Sequence, residues 1–153
     1  MKISILLPYK ENFSSIYAGA VSLFVKDTTK ISKYRKSITV YGNTDLKDIY
    51  KLSYKNIFLE KGLIESGSKL YVDKFLKFEN ANPSDIIEIH NRPNYFHLIH
   101  YNKKNQKIIL YFHNDPLTMT GSRSISNRKK ILDNATKIIF NSHWSRKRFL
   151  QGI

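Results

Sequence analysis

The chain has 153 residues, 41% of them apolar, and carries 26 Lys and Arg against 12 Asp and Glu, a net charge of +14. That is the size of one ordinary domain, with ten Tyr and nine Phe to build a core, so a disordered chain is excluded. The lack of cysteine excludes a disulfide framework, a thiolate metal site and a cysteine nucleophile, and fits a reducing, cytoplasmic setting.

In chain order, residues 3–7 are an apolar run too short for a signal-peptide core or a membrane span, and predict a buried strand. Ser14 or Ser15 can cap a helix with the stripe Ile16, Ala20, Leu23 and Phe24. Strands follow at 37–41 and 56–59, then a second helical stripe through Leu63, Leu70, Tyr71, Phe75 and Phe78. A strand at 85–89 precedes Pro93, which suits the first turn of a helix carrying Tyr95, Leu98 and Ile99. Residues 107–112 and 137–140 complete six strands, separated by a helix over 126–134 and followed by one that starts near Ser142. The strands are short, β-branched and apolar on both faces, and they alternate with helices. This predicts a doubly wound, Rossmann-like α/β domain over 1–153, a three-layer sandwich with a mainly parallel sheet.

In such folds, ligands bind beyond the carboxyl ends of the strands. Those ends carry Pro8 to Asn12 and Gly19, then His90-Asn91-Arg92, then His113-Asn114-Asp115 with Gly121-Ser122-Arg123, then Asn141 and Ser142. Gly19 near a helix start would let a phosphate approach backbone N–H groups, although close helix–sheet packing explains it equally well. His90 and His113 close neighbouring strands, where each can hydrogen-bond a ligand hydroxyl or developing charge, or be satisfied by backbone. A metal pair is disfavoured, because Asp115 is the one acid nearby. Ser142 would cap the last helix, whose N-terminus also suits an anion. In that helix Trp144 and Phe149 are expected to pack inward while Arg146, Lys147 and Arg148 face water. The sequence has no GxGxxG, P-loop or GxSxG elbow and no hydrolase-like carboxylate dyad.

Residues 86–153, through "DIIEIHNRPNYF", "KIILYFHNDPLTMTGSRS" and "KIIFNSHWSRKRFL", resemble the amino-terminal domain of family 4 retaining glycosyltransferases of the two-Rossmann (GT-B) architecture. "ISILLPY" and "YAGAVSLFV" resemble it more loosely, with Ala18-Gly19 where the family often has two glycines. The resemblance implies sugar transfer from a nucleotide sugar to a glycan or lipid-linked acceptor with retained configuration, and no cofactor or metal. It implies that His113 contacts the donor sugar and is the catalytic candidate. Gly19 and Ser142 would border the donor's nucleotide diphosphate. His90, Asn91, Arg92, Asn114 and Asp115 would line the acceptor cleft. Family members continue into a second, donor-binding domain with an EX7E motif, so the expectation is an acceptor-side half that is inactive alone.

The basic surface suits an anionic membrane face, with Lys33, Arg35 and Lys36 around Tyr34 as a docking cluster, and hence a peripheral place at the inner face of the membrane. A solvated Lys- and Asn-rich surface is the plainer explanation. The alternatives from other classes are a nucleic-acid-binding module, for which no recognition motif is legible, and a standalone Rossmann-like small-ligand protein.

Overall fold

The structure is a computed structural model that describes residues 1–59, 67–103 and 106–153. The chain divides into two compact units, Met1–Asp85 and Ile86–Ile153. Every strand pairing within each unit is parallel, and the fold is of the Rossmann-like α/β class that the sequence predicts.

The first unit runs β1 (Ile3–Leu6), α1 (Ala20–Ile31), a 3-10 turn (Arg35–Ser37), β2 (Ile38–Gly42), β3 (Tyr54–Asn56) and α2 (Gly67–Ala81). β1 is buried at all four positions, and it pairs Ile3 with Ile38 and Leu6 with Tyr41. β2 in turn pairs Val40 with Tyr54. The third strand was predicted at 56–59 and lies earlier. Its pairing stops where β2 stops, so Ile57 gives its N–H to Gly42 O and is buried, while Phe58 is 70% exposed.

α1 departs further from expectation. It starts at Ala20 and turns Val21, Ser22, Val25 and Thr29 inward, leaving Ile16, Leu23 and Phe24 exposed. Ser14 does not cap it. Its hydroxyl accepts from Ile16 N–H, and the residue bridges to Ile49. Tyr17 then takes a left-handed φ of 56°, which no helix continues through. α2 buries Tyr71, Val72, Phe75 and Leu76, each contributing about 1.5–3 kcal/mol for Val, Leu or Phe. Phe78 is 37% exposed, and Leu63 of the predicted stripe lies outside the described residues. Glu79 sits on the buried face, where its carboxylate accepts from the hydroxyls of Ser4 and Ser84 and from Ser84 N–H. A buried carboxylate needs such donors.

The second unit runs β4 (Ile86–His90), α3 (Pro93–Asn102), β5 (Lys107–Phe112), a 3-10 turn (Pro116–Thr118), α4 (Ile125–Asn134), β6 (Lys137–Phe140) and α5 (His143–Leu150). The strand order is β4-β5-β6, as two successive strand–helix–strand crossovers produce. Pro93 opens α3 as expected, and the buried Ile87, Ile89, Tyr95, Phe96, Ile99, Leu110 and Phe112 belong to the core. Phe149 packs against Phe112 and Phe140 with its ring tilted, but Trp144 is 58% exposed, contrary to expectation, and lies under the Arg148 guanidinium. No helix among the described residues is long and apolar enough to cross a membrane.

Candidate functional site

The parallel register of β4 and β5 sets His90 beside Tyr111, so His113 falls just past the strand end. The His90 ring stacks on Tyr111 at 4.3 Å, nearly parallel. His90 Nδ1 lies 3.1 Å from His113 Nε2, a hydrogen bond between the two imidazoles. On the other side of His90, Glu88 Oε2 is 3.6 Å from Nε2. A carboxylate there favours the proton on Nε2, which leaves Nδ1 as the acceptor for Nε2–H of His113. In that arrangement His113 Nδ1 carries no proton and accepts.

Both imidazoles are neutral at pH 7. Burial pushes the pKa of His90 down, with Glu88 pulling the other way. Burial, then the neighbouring His90, push His113 down to about 4. Burial, then Glu88, push the Tyr111 phenol up to about 12. A base whose conjugate acid titrates near 4 is a weak proton acceptor at neutral pH, so His113 suits hydrogen bonding to a bound hydroxyl better than proton abstraction.

Asn91 fixes the loop that follows β4. It is buried with φ 56°, a conformation that Asn tolerates better than most residues. Its N–H donates to Tyr111 O, and its side-chain oxygen accepts from the N–H groups of His113 and Asn114 at 3.2 and 3.3 Å. Arg92 Nη1 donates to Asn91 O, and Asn141 Nδ2 donates to His113 O. The backbone on both sides of His113 is therefore held from β4 and from the end of β6.

The remaining expected residues fall into two groups. Asp115 accepts from Leu117 N–H and from Nε and Nη2 of Arg148, at 3.0–3.3 Å, and the Arg148 bond holds its carboxyl below the ordinary range. Ser142 caps α5 by accepting from Ser145 N–H, beside an open cavity of about 440 Å³ lined also by His143 and Arg146. Gly121, at φ 97°, lies so close to Asn94 N–H and Cα that a side chain would clash, and its carbonyl faces His97 Nε2 at 2.7 Å. Arg128 is buried and donates to the carbonyls of Ser122, Arg123 and Gln151, which fixes the loop after Asp115.

Gly19 belongs to the first unit. It is the N-cap of α1, and Glu11 already lies against it: Glu11 Oε1 accepts from Ser22 N–H at 3.1 Å, and a Cβ at Gly19 would clash with that oxygen. The positive end of α1 is thus covered by a carboxylate of the chain itself, so a phosphate there would have to displace Glu11.

Sequence reasoning placed His90, Asn91, His113 and Asn114 in one neighbourhood, and the structure brings those four together. It missed Glu88, Tyr111 and Arg148. The i, i+2 alternation of β4 puts Glu88 on the His90 side, a signal that was available. Among the described residues no three His, Asp or Glu side chains are grouped to hold a metal.

Fold and site define a Rossmann-like α/β protein whose polar strand ends carry a coupled, neutral histidine pair. The chain matches no family model and no curated protein.

Proposed function

We propose that this chain is the acceptor-side half of a retaining glycosyltransferase, which moves a sugar from a nucleotide-sugar donor to a glycan or lipid-linked acceptor. The observation that supports this most is the His90–His113 pair at adjacent strand ends, with its loop held by Asn91. A neutral imidazole in a partly buried position hydrogen-bonds a sugar hydroxyl strongly without offering a charge to water. In the reaction, the bond from the anomeric carbon to the diphosphate oxygen breaks and a bond to the acceptor oxygen forms. The departing diphosphate oxygen takes the electron pair of the broken bond and the proton that the acceptor hydroxyl releases. His113 Nδ1 would accept from a donor-sugar hydroxyl and orient the anomeric carbon, while Arg92, Asn114 and Asp115 face the acceptor. A second domain would neutralise the diphosphate, and an anionic membrane surface would present a lipid-linked acceptor.

The test is transfer of labelled sugar from a panel of nucleotide sugars by a polypeptide joining this domain to a donor-binding domain. His113→Ala is expected to lower kcat/KM about 10²-fold, as loss of one preorganised hydrogen bond does, without changing the fold. Near-normal kcat/KM would make His113 structural, and transfer by the 153-residue chain alone would overturn the assignment of this unit as a half-enzyme.

A further inference from the structure

At the amino ends of β2 and β3 lies a cavity of about 760 Å³, within the range of small-ligand sites. Lys26 and Lys30 reach it from α1, Arg35 and Lys36 from the 3-10 turn, and Lys51 from the segment before β3. No carboxylate is among its lining residues. Asp27 pairs with Lys26 at 2.9 Å, and among the described residues Lys30, Arg35, Lys36 and Lys51 make no ion pair. Five cations around one concavity repel one another, and an anion inside it relieves that repulsion. The carboxyl end of α1 opposes this with only about half a negative charge.

The cavity also has a fixed wall. Tyr50 packs edge-on against the buried Phe13 at 5.2 Å, its N–H donates to Phe13 O, and Lys26 lies over its ring at 5.2 Å. Ser53 adds a hydroxyl at the rim. Charges converging on a concavity with one rigid side fit a compact, multiply charged group. A duplex backbone would call instead for an extended stripe.

We propose that this cavity is a phosphate-binding site for a phosphomonoester or diphosphate group. The group is carried either by a small solute or by a lipid headgroup. The site lies at the amino ends of its strands, whereas catalysis is proposed at carboxyl ends, and it does not depend on the glycosyltransferase reading.

The experiment measures binding of inorganic pyrophosphate by calorimetry, and flotation with phosphatidylcholine vesicles with and without phosphatidic acid. It compares the wild-type chain with the double variant Lys30→Gln, Lys51→Gln. A control, Lys129→Gln with Lys130→Gln, removes the same charge from exposed positions on α4. All the substituted side chains are exposed, and thermal midpoints confirm that each variant folds. The pocket variant is expected to weaken binding of whichever probe binds by about tenfold or more, and the control by less than about twofold. Binding of pyrophosphate alone assigns a soluble ligand; vesicle binding that needs phosphatidic acid assigns a headgroup. Equal loss in both variants, binding of neither probe, or tighter binding of duplex DNA than of either probe overturns the proposal.

Discussion

The histidine edge of the second unit and the basic cavity of the first use polar side chains in opposite ways. Around His113 the buried His90 and Asn91 and the half-buried His113 are bonded to one another, and the histidines are held neutral. Around the basic cavity the side chains of Lys30, Arg35, Lys36 and Lys51 are exposed and make no ion pair among the described residues. The first arrangement stabilises the fold and fixes geometry, because a buried donor without a partner costs about 1–3 kcal/mol. The second leaves charges hydrated, so it affects stability little and gains energy only when an anion arrives. Preorganisation by burial and availability by exposure are thus divided between two places in one chain.

Substitution at Asn91 sharpens that contrast most. Asn91→Ala removes the acceptor for two N–H groups and puts a Cβ residue without a local hydrogen bond at a left-handed φ. We expect a loss of about 2–4 kcal/mol in urea denaturation. Asn91→Gly keeps the backbone conformation and should lose about half as much. Lys30→Gln with Lys51→Gln should stay within about 0.5 kcal/mol of wild type. An equal cost at both places would erase the distinction.

A smaller effect is expected at Asp115. Its pair with Arg148 is partly exposed, so Asp115→Asn should cost about 0.5 kcal/mol at neutral pH. The Arg148 bond depresses the carboxyl pKa, so the contribution is present above the ordinary carboxylate range and disappears as pH falls through the depressed value. The gap between wild type and variant, followed by thermal unfolding, should close in acid. A gap that persists there would assign it to packing.

The fold was legible where apolar runs were bounded by turns, because burial on both faces leaves a short β-branched run few alternatives. Five of the six strands lie where the sequence puts them and the third lies earlier, while Pro93 and Ser142 mark helix starts. α1 was not legible, because its inward face includes Ser22 and Thr29, and a pattern that counts only apolar residues assigns those to solvent. Its false start at Ser14 came from a cap signal that the chain uses in a local turn. In the site, the residue types at the strand ends could be read from sequence. Which atoms meet could not, because the contact of His90 with His113 depends on register and on the left-handed turn at Asn91. Glu11 over Gly19 escaped for the same reason: the loop between the two residues brings it there.

The coupled, neutral histidine pair is the centre of this account, and nitrogen-15 NMR of the imidazoles across pH 3–8 tests it most directly. His113 lies beside another imidazole in a buried setting, so its folded pKa falls below the ordinary 6.5, and it should stay neutral until pH nears about 4. His90, more deeply buried, should also titrate below the ordinary value. At pH 7 both rings should show the proton on Nε2, as the Glu88–His90–His113 arrangement requires. Titration of either ring near 6.5, or a proton on Nδ1 of His90, would contradict the account.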